Sequence, residues 1–312
     1  MTPRRRPIAR QRGAALLIAM IVLTLVATLA SAMVWHQQRA GDVETAERAR
    51  AQAGWLLEGA LDWAKVLMRA GADKAFPPSA GWVSKLEESR LSQFLAADRD
   101  NSADANLDVF LSGEISDAQG RYNLRRLVGD DGKPVPAELA GLRRLCDAAG
   151  AGAELADRLA AGLADAWYGR SETAALPPAR VEQLAWLGLE PARLAQIAPY
   201  VALLPVRAPL NANTAEAPAL LAAIDGLDLG SARRLAQSLK RSPAATADDL
   251  RAQLPANVSI DDGRVGVRSS YFEVLGRLRY EDRVLQERWL LARGANGLTL
   301  LRRERQSLAA GG

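Results

Sequence analysis

The chain has one cysteine, Cys146, and one histidine, His36, among 312 residues. A single thiol excludes an internal disulfide framework and a cysteine-cluster metal site. A single imidazole excludes a multi-histidine metal centre and leaves one candidate base for a Ser–His or Cys–His pair. No Asp, Glu, Lys or Arg occurs from Gly13 to Gln38, and no proline between Pro7 and Pro77. With 49% hydrophobic and 24% charged residues the chain is not disordered, and its length suits about two domains. The net charge of +4 has a local source: Arg4, Arg5, Arg6, Arg10 and Arg12, without which the remainder carries −1. Net charge alone therefore gives no sign of a broad nucleic-acid surface.

What is present begins with an apolar run from Ala14 to Trp35, 22 residues long. As a helix it spans roughly 33 Å, close to the ~30 Å hydrocarbon core of a bilayer. Thr24, Thr28 and Ser31 interrupt it, but small hydroxyls bond back to their own helix and are tolerated in lipid. The arginines before it predict a cytoplasmic N-terminus and place the rest across the membrane, with Trp35 and His36 at the far interface. Three readings fit this segment: a signal anchor, a cleaved signal peptide with Ala30-Ser31-Ala32 as its small-residue site, and a type IV prepilin leader. In the last, a short basic leader ends in Gly13 immediately before Ala14-Ala15-Leu16-Leu17-Ile18 and is cut on the cytoplasmic side.

The continuation favours the prepilin reading. Residues 39–70 are rich in Ala, Glu, Arg, Gln and Leu. Val43, Ala46, Ala49, Ala53, Leu56, Ala60, Ala64 and Leu67 form one stripe at helical spacing. The spacing predicts an unbroken helix over 14–70, roughly 85 Å long, half in the membrane and half packed on a head. A stripe so rich in alanine suits close packing on a sheet better than a leucine-zipper seam.

In the head, Phe76-Pro77-Pro78 stops the helix and a short helix is expected from Trp82 through Leu86 onward. Val109–Leu111, Glu114–Ser116 and Arg121–Leu124 read as short strands, the last two joined by a turn at Asp117-Ala118-Gln119-Gly120. Residues 134–255 read as short helices punctuated by prolines. Asn213 is expected to cap one of them with Glu216 reaching back, and Gly226 and Gly230 bracket a turn before Ser231–Leu239. Tyr271–Leu278, Val284–Leu291 and Leu298–Leu301 read as an antiparallel meander turning at Glu281-Asp282 and Gly294–Gly297. The tail from Arg302 is expected to fray. Strands thus flank a helical block, and the economical arrangement is one sheet on the long helix with the block inserted between its strands.

The chain resembles the K-type minor pseudopilins of the type II (general) secretion pathway. The resemblance rests on Arg12-Gly13-Ala14-Ala15-Leu16-Leu17, Ile115-Ser116-Asp117-Ala118-Gln119-Gly120-Arg121-Tyr122-Asn123-Leu124, Leu210-Asn211-Ala212-Asn213-Thr214-Ala215 and Ser270-Tyr271-Phe272. It implies an α+β, pilin-like fold: a long N-terminal transmembrane helix on an antiparallel sheet, with an inserted all-α domain of helix-hairpin-helix or SAM-like type. The corresponding parts are a leader over 1–13, a transmembrane segment over 14–35, periplasmic helix and first head segment over 36–133, the inserted domain over 134–255, late strands over 256–304 and a flexible tail over 305–312. The resemblance further implies cleavage between Gly13 and Ala14 by a prepilin peptidase and N-methylation of Ala14. It places the protein in the inner membrane with its head in the periplasm. The implied partners are the I- and J-type minor pseudopilins, the major pseudopilin and the inner-membrane assembly platform, at the tip of a short pseudopilus that exports folded proteins.

Most pilins and pseudopilins carry Glu at the fifth mature position, where it is thought to neutralise a neighbour's N-terminal amine. Here that position is Ile18. A carboxylate at the centre of a membrane helix costs about 2.5–3.5 kcal/mol on insertion scales, so it persists only with a partner; a tip subunit has none above it. The family's calcium-binding members carry an acidic loop, whereas Asp165-Ala166-Trp167-Tyr168-Gly169-Arg170-Ser171-Glu172 offers few of the 6–8 oxygens calcium takes, so no cofactor is expected.

The alternative is a membrane-anchored, competence-type DNA-binding protein. Residues 213–234 resemble a helix-hairpin-helix, with Arg233, Arg234, Lys240 and Arg241 near the amides that would meet phosphate. Against it, the glycines are four apart and Asp225 and Asp228 sit where phosphate would lie, so no nucleic-acid partner is expected. Nor is an enzyme: His36 belongs at the membrane surface. Arg143 and Arg144 would lower the pKa of Cys146, but a lone cysteine is more often a buried small hydrophobe. Asp130-Asp131 and Asp261-Asp262 read as turns, and Trp167 and Tyr168 as packing residues.

Overall fold

The computed structural model describes residues 12–70, 85–91, 109–169, 174–280 and 283–309. They divide into two units, 1–56 and 57–312. What is described of the first unit is helix, the opening part of α1 (Arg12–Ala70). Every side chain from Ala14 to Thr45 is exposed, and the mean hydropathy of its most apolar stretch is 2.5. The Thr24 and Thr28 hydroxyls donate to the carbonyls of Ile21 and Leu25, each at 2.9 Å, which removes two polar groups from an otherwise apolar surface.

The second unit is α+β. Its sheet runs in the order β1 (Lys85–Arg90), β2 (Val109–Asp117), β7 (Tyr271–Tyr280), β8 (Arg283–Gly294) and β9 (Gly297–Ala309), antiparallel throughout. Alternation puts Leu111, Ile115, Phe272, Val274, Trp289 and Leu291 on one face. Leu57, Leu61, Ala64 and Met68 of α1 are buried, with Leu57 reaching Trp289 over Gly276. A fully buried aliphatic side chain of this kind contributes roughly 1.5–3 kcal/mol. A Cβ on Gly276 would stand 2.8 Å from the Trp289 ring, so the indole occupies space that only glycine leaves.

The chain leaves the sheet at Asp117 and re-enters it at Tyr271, in the adjacent strand. Everything between is an insertion. It holds α2 (Pro136–Ala148), α3 (Glu154–Tyr168), α4 (Pro191–Ile197), α5 (Ala217–Ala223), α6 (Leu229–Arg241) and α7 (Ala247–Ala252). Proline opens α2 and α4, where its missing N–H costs nothing; Asp228 caps α6 and a Thr246–Asp249 capping box starts α7. Two short parallel ladders tie the insertion together, β3 (Tyr122–Asn123) with β4 (Val201–Ala202) and β5 (Leu210–Asn211) with β6 (Val265–Gly266). Its core reaches back to Tyr122, Leu124 and Leu127 and on to Val265 and Val267, so the packed unit is wider than the helical stretch 134–255. A smaller cluster, Ala118, Ala202, Leu204, Ala208 and Leu290, joins it to the sheet face opposite α1.

Several local expectations are corrected. Residues 85–90 are the edge strand β1 rather than helix, because pairing with β2 outweighs local propensity; Trp82 lies outside the described residues. Val109–Asp117 is one nine-residue strand, and Ala118–Gly120 is a 3-10 turn leading into the insertion rather than a hairpin turn. The buried stripe of α1 is Leu57, Leu61, Ala64 and Met68; Ala60 and Leu67 of the expected stripe lie at its flank. The segment from Arg302 is not frayed but paired with β8 as far as Ala309, so the expected tail over 305–312 is strand for five of its residues. The turn at Glu281-Asp282 lies outside the described residues.

Candidate functional site

The motif residues scattered over the sequence converge on the point where the insertion meets the sheet. Asp117 ends β2. Its carboxylate accepts from the Gln119 N–H at 2.8 Å, Asn211 Nδ2 at 2.8 Å, Thr214 Oγ1 at 2.6 Å and Ser269 Oγ at 2.6 Å. Burial raises its pKa above the ordinary 3.8, while the four donors pull the other way. Gln119 donates to the Pro209 carbonyl at 2.8 Å and accepts from the N–H groups of Ser270 and Tyr271 at 2.6 and 3.1 Å. One side chain thus ties its own segment to two others, at Pro209 and at Ser270-Tyr271. A Cβ on Gly120 would lie 2.8 Å from Thr214 Oγ1 and 3.0 Å from the Thr214 carbonyl, which explains glycine there.

Three asparagines extend this clasp. Asn123 donates to the Val206 carbonyl at 2.7 Å and accepts from Leu204 N at 3.2 Å. Asn211 donates to Ser269 Oγ at 2.9 Å and accepts from Asn213 N at 3.1 Å. Asn213 donates to the carbonyls of Ala244 and Val267 and accepts from Ala244 N. Asn213 is therefore a buried cross-brace rather than a helix cap, and the N-terminus of α5 has no side-chain cap. Beside the clasp lies a charged core. The Tyr122 hydroxyl donates to Glu138 Oε2 at 2.7 Å, and Arg126 Nε donates to Glu138 Oε1 at 2.8 Å. Arg264 and Arg144 donate to the two oxygens of Asp225, each at 2.6 Å. Burial and then the Glu138 carboxylate hold the Tyr122 hydroxyl well above its usual range.

The Asp117 carboxylate spends its accepting capacity on four donors, two of them the hydroxyls of Thr214 and Ser269. Cys146 is buried in the insertion core, the commoner place for a lone cysteine, and its thiol is pushed up to about 12 by desolvation and then by Asp147, Glu154 and Asp157, so the neighbouring Arg143 and Arg144 do not lower it. Arg143 is engaged with Asp157 and Arg144 with Asp225. Among the described residues no group of three or more His, Cys, Asp or Glu side chains could hold a metal ion. Of the two carboxylates in the 165–172 stretch, Asp165 lies in α3 and Glu172 lies outside the described residues.

The hairpin between α5 and α6 has Gly226 at φ +79°, but its polar groups are used internally. Asp225 is held by Arg144 and Arg264, and Asp228 accepts from the Ser231 N–H at 2.9 Å and from its hydroxyl at 2.6 Å. The Ser231 amide at the start of α6, one that a phosphate would meet, already meets a carboxylate. Ala14 and Ile18 lie exposed on α1, and Gly13 lies within its first turn. His36 is exposed on the same helix, far along the sequence from the clasp.

Two family models, both described as type II secretion system (T2SS) protein K, match residues 120–206 and 210–268. The chain is 26% identical over 310 residues to the type II secretion system protein K of Pseudomonas aeruginosa, covering 92% of this chain and 90% of that protein. Its fold is similar to a chain in the crystal structure of the GspK-GspI-GspJ complex from the type 2 secretion system of enterotoxigenic Escherichia coli. The TM-score is 0.61 at 17% identity, covering 84% of this chain and 98% of that one. The matched segments contain most of the clasp, including Asn123, Asn211, Asn213 and Thr214.

Proposed function

The chain belongs to the type II secretion system protein K family, and on that footing we propose that it works as a minor pseudopilin at the tip of a periplasmic pseudopilus. The observation that carries this reading is the run of family matches across the insertion and its clasp, in a chain whose first unit is an exposed apolar helix. In this role the protein is an assembly subunit. The apolar stretch 14–35 anchors it in the inner membrane with its leader in the cytoplasm. A prepilin peptidase cuts between Gly13 and Ala14, and Ala14 is then methylated. Ile18, with no carboxylate to offer a neighbour's amine, suits a subunit that has none above it.

The clasp supplies the mechanical part of the function. A cap must present one shape, and a block joined to a sheet through a buried, fully bonded polar junction has one orientation available. The E. coli complex with I- and J-type subunits supports the same partners here. The major pseudopilin and the assembly platform complete the proposed set, and neither a metal nor a nucleic acid is required.

The test is the mass and N-terminal sequence of the full chain made with and without a prepilin peptidase, followed by co-purification with the I- and J-type subunits. The expected result is a peptidase-dependent start at Ala14 and a ternary complex. A start near Met33 without peptidase, or an intact leader in both cases, would refute the prepilin mechanism.

A further inference from the structure

On the sheet face opposite α1, the insertion leaves a cleft of about 440 Å³ that the clasp does not fill. Its lining is of two kinds. Leu194, Ala198, Ala202 and Leu203 of the insertion give apolar surface. Arg121, Arg180, Arg288 and Arg302 bring four guanidiniums from both the insertion and the sheet. Three carboxylates face them. Glu273 lies 2.7 Å from Arg121 Nη2, and Glu182 lies 2.9 Å from Arg288 Nη1. Glu304 lies 3.2 Å from Arg180 Nη1 and 2.7 Å from Arg302 Nε. The cleft therefore holds one positive charge in excess. Its donors are also in excess, since each guanidinium has five N–H groups. Arg121 Nη2 is shielded from solvent, and its approach to Glu273 is a charge contact without an aligned hydrogen bond.

We propose that this cleft is a binding site for a carboxylate borne next to an apolar side chain, supplied by a partner polypeptide. Guanidiniums present paired N–H donors that match a carboxylate, and a partly desolvated setting strengthens that contact. The apolar wall takes the neighbouring side chain. The same chemistry is offered by a chain terminus ending in an apolar residue and by a glutamate beside one. The three resident carboxylates hold the guanidiniums in place and compete weakly with the ligand.

The experiment is a titration of the full chain in detergent micelles, followed by the arginine Nε–H signals of ¹⁵N-labelled protein. The probes are N-acetylleucine, N-acetylglutamyl-leucine amide and N-acetylleucine amide. A saturable shift of cleft arginines with either carboxylate probe supports the site, and the tighter one names the source. The amide without a carboxylate should bind at least about tenfold more weakly, the loss expected when one charge-assisted contact is removed. Arg288→Gln, a change at a part-exposed residue, should weaken binding about tenfold with the melting temperature unchanged. Glu182→Gln should tighten it a few-fold by removing a competitor. No saturable shift with either carboxylate, equal binding of the amide, or indifference to both variants would overturn the proposal. None of these outcomes touches the prepilin reading, which is tested by cleavage and co-purification.

Discussion

Replacing Asp117 probes the clasp most directly. In Asp117→Ala four donors lose their acceptor: the Gln119 N–H, Asn211 Nδ2, and the hydroxyls of Thr214 and Ser269. The hydroxyls can rotate, and Thr214 Oγ1 already lies 3.4 Å from the Asn211 carbonyl. The two N–H donors are fixed, and each costs about 1–3 kcal/mol when buried without a partner. The expected loss is about 3–5 kcal/mol. Asp117→Asn keeps an oxygen for the three donors on Oδ2 but turns an NH₂ toward the Gln119 N–H. One donor conflict remains, and the expected loss is about 1–3 kcal/mol. Urea unfolding of the full chain in micelles, read by tryptophan fluorescence, measures both. The pH dependence has a defined sign. A carboxyl whose folded pKa lies above 3.8 favours the folded state below 3.8 and loses that contribution as pH rises through the raised value. Relative to the pH-independent Asn variant, the native protein should therefore gain stability as pH falls through that window. An Ala variant within about 1 kcal/mol of the native protein would refute the clasp as a structural determinant, as would an Asn variant as unstable as the Ala one.

Glu287 is fully buried on β8 and is held by Arg303 at 2.7 Å and by Arg305, so Glu287→Ala should cost about 1.5–3 kcal/mol in the same urea experiment, because charge-assisted bonds are lost while the two guanidiniums, each over a third exposed, regain water. Met68→Ala, on the buried face of α1, should cost about 2–5 kcal/mol, whereas Trp55→Ala, at a residue 75% exposed, should cost little. Cys146 should resist iodoacetamide at pH 8 until the protein is unfolded, since its thiol titrates at about 12. EDTA should leave the melting temperature unchanged, because the sequence over 165–172 carries only two carboxylates, Asp165 and Glu172, against the 6–8 oxygens calcium takes.

The long helix and the late strands were legible because their signals are local and periodic. Twenty-two apolar residues without a charge, and then proline-free, alanine-rich sequence to Ala70, leave few alternatives to helix. The strands of the C-terminal meander were legible from alternation, but their ends were not. Arg302–Gln306 looks like a polar tail in sequence, yet Arg303 and Arg305 serve the buried Glu287 one strand away. The β1 strand, Lys-Leu-Glu-Glu-Ser-Arg, has no strand pattern of its own and exists because β2 offers an edge. Asn213 read as a cap because the Asn-x-x-Glu spacing is a cap signature; its real partners, Ala244 and Val267, are 31 and 54 residues away. The arginine cleft left no signal at all, since its lining comes from segments between Arg121 and Arg302 whose order in the chain says nothing of their meeting.

The same convergence explains why the motifs suggest a reactive site in sequence and form a joint in structure. An aspartate, a glutamine, three asparagines, a threonine and a serine are the residue types of a catalytic or ligand-binding centre. Here Asp117 and Thr214 are half-buried and the other five buried, and they spend their hydrogen-bonding capacity on one another and on backbone groups of Leu204, Val206, Pro209, Ala244 and Val267. Among the described residues, apolar packing between the insertion and the sheet is modest: Leu290 is the one large sheet residue buried in the shared cluster, with the partly buried Tyr271 packed against it. Apolar contact is non-directional and would tolerate sliding. A carboxylate meeting four donors and an amide spanning three segments do not, because each small shift strands a buried polar group at about 1–3 kcal/mol. A subunit that contributes shape rather than chemistry needs the orientation of its parts fixed more than it needs added stability. Directional bonds at the joint, with apolar packing confined to the two sides, meet that requirement.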